Sequence, residues 1–549
     1  MRRLSLVLAG LTTLVLASGS NAPRERTGRD IIGRIDTVGG TTYDWQSTGP
    51  VASRVYWDSG YGIHAVWTYS TEMSGTTFPD RNTRYNFYDF ALHDWNWLDP
   101  DFMQSGVNVF TQRTGQPSLG VSPVTHCAQI GAHVGDLSPV LARDASPGAG
   151  IFDYQSGEPT CSSMVYPRIS ISSTGRTHVA LTDAQSLGKL YYSGVDSLWS
   201  VPFHIPSFLP DPGYPAYAIA ASRRRPHVCI MWTAADSEPR RLYYRRSTDD
   251  GQTWLPPDSL PTLPAFHPGS ETVPSIGTSD LYPWYDPEEE DDDFSGAVAV
   301  YPVVQGQGMV MPAEIWHWRT GSGWSRVARA ECDTAHMSGG VGYNALYASR
   351  PTLGRCAATG QLVCVWEQFD STNVEPRTGL LRADIWAARG DGSGANWGVP
   401  ARLTDPDGTS KRFPSVAGWT ASDTFVVTYE IDGCAGFAIY GQGPTTPNPI
   451  AVHYVSIESL PLPTGGAAEP GRSGTQIPEV CPTVVRGVLN LPKSTSSSPS
   501  RLLDIGGRKV MELHHGANDV RSLAPGIYFV RAVSREPSAV SCRKVVIAR

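Results

Sequence analysis

One local plan recurs along this chain: an aromatic strand, a tight polar turn, then a tryptophan. The clearest copy is residues 242–254, LYYRRSTDDGQTW. Residues 242–246 suit a strand. The turn that follows is Ser247-Thr248-Asp249-Asp250-Gly251-Gln252-Thr253, closed by Trp254. Asp249 can accept hydrogen bonds from its own turn, and Gly251 takes a positive φ at little cost. Trp254 returns a large apolar ring to the sheet. Weaker copies are residues 84–97, 190–199, 315–324 and 385–397. Repetition on this scale marks a solenoid or a propeller.

The hairpin is the last part of a longer unit. Each unit opens near a proline: Pro117, Pro167, Pro215, Pro274, Pro351 and Pro414, spaced by 50, 48, 59, 77 and 63 residues. A strongly apolar strand follows, as in HAVWTYS from His64, THVALTD from Thr177, LVCVWEQFD from Leu362 and TFVVTYEID from Thr424. Units therefore start near residues 50, 117, 167, 215, 274, 351 and 414. Four short strands per unit make a propeller blade. The unit at 115–157 lacks a Trp hairpin, so the count is six or seven blades. Residues 31–46 can add a strand that closes the ring and removes exposed edges. The fold expected is all-β, with the propeller over residues 31–458.

The phrase S-x-D-x-G-x-T-W at Ser247, Asp249, Gly251, Thr253 and Trp254 resembles the Asp-box (BNR) repeat of sialidase-like β-propellers. The resemblance implies the fold, and a structural role for the five residues. It also raises an enzyme alternative. Enzymes of that family grip a substrate carboxylate with three arginines and use a tyrosine nucleophile, a glutamate and an aspartate. Their first arginine sits in an F/Y-R-I-P phrase that this chain lacks. Tyr166-Pro167-Arg168-Ile169 has the same residues in another order and reads as a strand opening. Arg350 before Pro351 and Arg412 before Phe413 read the same way. The catalytic set is therefore unassigned. The expectation is a non-catalytic propeller binding a glycan, a surface component or a protein. The alternative is a sialidase-like glycoside hydrolase or a polysaccharide lyase.

The ends carry separate signals. Residues 1–22 read as a bacterial secretory signal: Arg2 and Arg3, an apolar run, then small residues. Cleavage fits after Gly19 or Ala22, and no later stretch reaches transmembrane length. Residues 459–480, rich in Pro, Gly and Ala, read as a linker. Residues 481–549 alternate apolar and polar positions in short strands, as a small β-sandwich-like domain would. Their phrases LLDIGGRKV, LAPGIYFVR and KVVIAR resemble the C-terminal sorting domain of type IX secretion cargo. The residues that carry the likeness are Gly507, Arg508, Gly516, Asn518, Pro525, Gly526 and Tyr528. The opening, CPTVVRGVLNLP, departs from that pattern. The resemblance implies secretion or surface display, with the secretion machinery as partner.

Charge follows the same division. Residues 485–549 carry 11 Lys or Arg against 4 Asp or Glu, while the whole chain is at −8. The body is thus strongly acidic, which argues against nucleic acid. No phosphate loop, G-x-S-x-G elbow or H-E-x-x-H occurs. His126, Cys127 and His133 fit no zinc spacing, so no metal or other cofactor is expected there. The acidic stretch 282–294, YPWYDPEEEDDDF, reads as a solvated loop, with calcium as its alternative reading. Nine cysteines leave an odd one. Cys356 with Cys364, and Cys481 with Cys542, are candidate pairs against a reading of free buried thiols.

Overall fold

Seven sheets follow one another in chain order, each running from an inner strand outward, and their pairings are antiparallel apart from a short parallel one between Arg355–Cys356 and Trp419–Thr420. The inner strands are Val55–Asp58, Thr114–Val121, Met164–Ile171, Tyr217–Ala221, Thr272–Tyr285, Ala348–Cys356 and Ser410–Val416. Each packs on the next, and the last returns to the first. Among the described residues of the first compact unit, Met1–Gly466, these sheets make a seven-bladed β-propeller. This computed structural model describes residues 32–463 except 75–76, 136–137, 158–162, 184–188, 198, 200–206, 213–215, 234–238, 267–271, 289–293 and 333–338, and then 484–491, 500–504, 508–514, 516–532 and 541–548. Residues 1–22, read above as a secretory signal, Pro215, Gly507, Cys481 and most of residues 459–480 lie outside the described residues. Among the described residues the helical pieces are three single 3-10 turns, at Phe102–Gln104, Ala438–Tyr440 and Ile457–Ser459.

The ring closes with its two ends interleaved. Arg34–Thr41 pairs with Asn448–Ser456 and becomes the outer strand of the seventh blade. That pairing joins residues more than 400 positions apart and leaves no open edge between first and last blades.

The six-blade alternative fails at residues 114–156. They form a full blade, with Thr114–Val121, Ala128–Val134, Ser138–Asp144 and Phe152–Ser156 paired in order. No tryptophan is needed there, because the preceding blade supplies the rings. Gly148 (φ 67°) lies on Phe87, and Gly150 (φ 66°) lies on Trp97. Asp144 accepts from Gly150 N and Ile151 N at 3.1 Å each, which shapes the turn.

The same joint recurs where the Trp hairpins stand. In the fourth blade, Asp249 accepts from Ser247 Oγ at 2.8 Å, Thr253 N at 2.8 Å and Thr253 Oγ1 at 2.5 Å. Gly251 N donates to Ser247 Oγ at 2.8 Å. A Cβ on Gly251, at φ 77°, would overlap Tyr192 Oη of the third blade. Trp254 meets the Tyr192 ring edge-on at 4.8 Å. In the sixth blade Asp391 organises the turn, taking Ser393 N at 3.0 Å and Asn396 Nδ2 at 2.6 Å. Gly394 then closes on His317 of the fifth blade, with Trp397 at 5.5 Å. Each of these turns couples its own blade to the one before.

Cys356 and Cys364 are free, buried thiols. The hairpin register explains why: Cys356 faces Gln361, whereas Cys364 faces Leu353.

The second compact unit spans Ala467–Arg549. Its larger sheet orders Val484–Arg486, Ser541–Ala548, Gly526–Ala532, Ser500–Leu503 and Lys509–Leu513, and Val488–Leu491 pairs separately with Gly516–Asp519. Leu489 from the small sheet and Leu502, Leu513, Tyr528 and Ile547 from the large one share a core. Asn518 pins the turn, accepting from His514 N at 2.8 Å and donating to the carbonyls of Leu489, His514 and Gly516. Arg508 pairs with Asp504 at 2.9 Å, Gly516 adopts φ 91°, and Tyr528 Oη reaches Ala524 O, just before Pro525 and Gly526, at 2.8 Å.

Asp249→Ala should lower propeller stability by about 1–2 kcal/mol, because three donors lose their acceptor. Chemical denaturation of the variant checks this. An unchanged midpoint would mean that Asp249 does not hold the turn.

Candidate functional site

Several inner strands break register immediately before a proline. Gln116, Tyr166, Arg350 and Phe413, each followed by proline, hold φ of 59°, 55°, 57° and 58°. Such bulges re-aim neighbouring side chains. Here they turn charged groups toward the axis at the end where the inner strands begin.

Four arginines gather there: Arg54, Arg168, Arg350 and Arg412, each at most 3% exposed. The guanidinium carbons of Arg350, Arg412 and Arg54 lie 4.7, 5.4 and 5.9 Å from the centre of the Phe413 ring. Glu367, fully buried, pairs with Arg350 and, at 3.0 Å, with Arg412. It also accepts from Phe413 N at 2.8 Å. Burial alone would raise the Glu367 carboxyl, but the two arginines outweigh it and hold it below its ordinary value.

The other acids nearby behave differently. Burial pushes Asp280 up to about 6, even though Ser349 Oγ and Arg350 N each donate to it at 2.6 Å. Burial pushes Asp44 up to about 7. One of its oxygens accepts from Ala438 N at 2.6 Å, and Oδ1 has no protein partner. Glu430 and Asp432 are raised well above the carboxylate range, by burial and then by the acids around them. Among the described residues Glu367 is therefore the firmly ionised carboxylate of this cluster at neutral pH, and its ion pairs go to two of the four arginines, Arg350 and Arg412.

This end of the axis is covered. Residues 42–54, running from the closing strand to the first inner strand, cross it and are almost wholly buried. Arg168 Nη2 donates to Thr48 O at 2.5 Å and to Ser47 Oγ at 3.2 Å. Gln46 donates to Tyr43 O at 2.7 Å and Thr68 O at 2.9 Å, and Gln116 accepts from Thr48 N. Arg54 reaches Phe413 O. Arg168 and Arg54 thus stitch the cover to the third and seventh blades, and Gln46 ties it to the first.

Above the cover the side chains are aromatic. Trp45, 2% exposed, sits 4.4 Å from Phe437, 4.9 Å from Tyr440 and 5.6 Å from Tyr343. Tyr343 and Tyr440 lie 4.6 Å apart at 32° and are 51% and 49% exposed. Arg350 Nη2 holds the Tyr343 loop through Asn344 O at 2.9 Å, and Asp44 holds the Tyr440 turn through Ala438 N. The charged core therefore positions the exposed rings.

Below the cover runs a central channel of about 120 Å³ lined by the inner strands. Arg168 stands in its wall, and Tyr56, Arg223, Trp284 and Trp419 stand at the far end. Arg223 lies 5.0 Å over the Tyr56 ring, and Trp419 Nε1 donates to Glu288 at 2.7 Å.

The Asp-box residues do not join this site. Inner and third strands run the same way, so the turn after the third strand lies at the opposite end from the arginines. His126 and His133 likewise fall at opposite ends of one strand. His126 pairs with Asp58 at 2.9 Å, and His133 packs edge-on against Tyr166 at 5.1 Å. In the acidic stretch Asp286 binds Arg355 Nε at 2.7 Å, and residues 289–293 lie outside the described set. Among the described residues no group of three or more His, Cys, Asp or Glu is placed to hold a metal.

Reading Arg168, Arg350 and Arg412 as plain strand openings missed their convergence. The available signal was charge at the proline landmarks of strands whose other residues are buried, with a lone glutamate, Glu367, in the apolar run LVCVWEQFD.

No family model matches the chain, and no curated protein matches it. Solved structures with a similar fold include a PL25 ulvan lyase, at 10% identity and TM-score 0.44 over 74% of this chain and 99% of that one. NanB sialidase from Streptococcus pneumoniae matches at 9% identity and TM-score 0.38, over 78% and 71%. A six-bladed fucose-recognising lectin from Aleuria aurantia matches at 8% identity and TM-score 0.34, over 64% and 96%.

The buried acids predict a pH profile. Asp44 and Asp280, ordinarily near 3.8, titrate near 7 and 6 in the folded state. A raised carboxyl pKa means that the native state binds protons more tightly than the unfolded one. The stability contributed is therefore full below about pH 4 and is lost as pH rises to about 7. Asp44→Asn should gain relative to wild type as pH rises through that window. Unfolding midpoints measured across pH decide it, and parallel profiles would contradict the assignment.

Proposed function

We propose that this chain is an exported, non-catalytic glycan-binding propeller that receives its ligand on the tyrosine rim over the arginine end of the axis. The observation that carries the reading is the exposed Tyr343–Tyr440 pair, backed by Trp45 and set beside a covered charged core. Tyrosine presents an apolar face with a polar tip, which suits the apolar face and hydroxyls of a sugar ring. The arginines beneath lie under the cover and bind Glu367 and backbone carbonyls, so they position the rim more readily than they grip a polymeric substrate. Asp44 favours a second reading, as a glycoside hydrolase or lyase: a carboxyl near 7 with an unpartnered oxygen suits general acid–base work.

A panel of anionic and neutral polysaccharides in affinity electrophoresis tests the binding reading. Retention is expected, and Tyr343→Ala or Tyr440→Ala should weaken it by about 1 kcal/mol, roughly fivefold in Kd. Turnover of a sialoside, a neutral glycoside or a uronate polymer that vanishes in Asp44→Asn would establish the enzyme reading instead.

Export is proposed to use the secretory signal at residues 1–22 and the tail at 502–549, with the type IX machinery as partner. The support is the tail's motif likeness and its separate compact unit. Deleting residues 502–549 should leave the propeller folded but retained in the cell envelope of a host with that machinery. Normal surface delivery of the deleted form would refute the sorting role.

A further inference from the structure

We infer that the guanidiniums of Arg54, Arg168, Arg350 and Arg412 hold a small inorganic anion of the halide class, sealed beneath residues 42–54 and reached along the central channel. The inference is independent of the glycan reading. It begins with unmet donors: the Nε of each of these four arginines is buried and has no protein hydrogen-bond partner. Buried polar groups are nearly always satisfied, so these donors, three of them on guanidiniums around the Phe413 ring and the fourth on Arg168 in the channel wall, call for an acceptor that the protein does not supply.

Charge narrows what that acceptor is. Glu367 serves both Arg350 and Arg412. Among the described residues Arg54 and Arg168 make no ion pair, although each is only 3% exposed; the acids that act on Arg54 through space are Glu430 and then Glu367, and no acid acts on Arg168 in this way. Their hydrogen bonds go to neutral groups: Phe413 O and Gln46 from Arg54, Thr48 O and Ser47 from Arg168. Of the remaining acids, Glu430, Asp432 and Asp44 are pushed toward the neutral form by burial. Asp280 already accepts from Ser349 and from the Arg350 backbone. An arginine cannot escape by losing its proton. Burying a guanidinium without a counter-charge costs far more than leaving one N–H unmet. Water would answer the N–H groups but not the charge. An anion answers both.

Size and access favour a monatomic ion. The channel of about 120 Å³ reaches Arg168, and small residues (Ser118, Gly120, Ala218 and Ala220) leave its bore open. That volume corresponds to roughly ten water-sized positions. A halide can travel it with the cover closed, whereas a polymeric sugar acid cannot.

The test compares thermal unfolding of the full chain in sodium chloride and in sodium gluconate at equal ionic strength. Chloride should raise the midpoint by roughly 1–2 °C for each tenfold increase above its dissociation constant, and gluconate should not. Arg168→Met should lose the difference between the two salts, whatever its own midpoint. Crystals soaked in bromide should show an anomalous peak among the four guanidiniums. Equal midpoints in both salts, a chloride effect unchanged in Arg168→Met, or bromide only at surface positions (an adventitious ion only) would each overturn the inference. If Arg168→Met does not fold, the bromide peak in the native protein decides alone.

Discussion

The pairing of Arg34–Thr41 with Asn448–Ser456 is the constraint on which the rest depends. It joins the ends of a chain of seven sheets and makes the ring a single object. It also dictates where the next residues go. A chain leaving the outer strand of the last blade must cross to the axis to begin the first, and residues 42–54 make that crossing over the channel. The closure therefore covers one mouth of the channel and delivers Trp45 beneath the rim tyrosines.

The charged core is a consequence of that crossing. A buried segment carries backbone carbonyls that need donors. Arg168 supplies donors to Thr48 O and Ser47 Oγ, and Arg54, on the segment itself, supplies one to Phe413 O. Arg350 and Arg412 share Glu367 and complete the joint on the far side of the axis. The arrangement resembles a ligand-gripping cluster in its residue types. In its hydrogen bonds it is a clamp between blades.

Much of the ring was legible in the sequence, because prolines and apolar strands recur with the blade. The second blade was the obscure one. Its joint uses Gly148 and Gly150 against rings donated by the first blade, so the tryptophan that marks the other hairpins is absent from its own residues. The site was far less legible. Arg54, Arg168, Arg350 and Arg412 are separated by more than a hundred residues in places, and only the closed ring brings them together. Burial of Glu367 and Asp44 likewise depends on packing across blades that no local pattern reports. The Asp-box was visible for the opposite reason: its hydrogen bonds lie within seven residues.

The central claim is that ligand meets the tyrosine rim while the arginine core stays closed. Hydrogen–deuterium exchange of the propeller, with and without a polysaccharide that it retains, tests this most directly. The account predicts new protection confined to residues 340–347 and 436–442, which carry Tyr343 and Tyr440, with residues 42–54 slow to exchange in both states. Protection centred instead on the turns near Arg223 and Glu288, or exposure of residues 42–54 on binding, would contradict it.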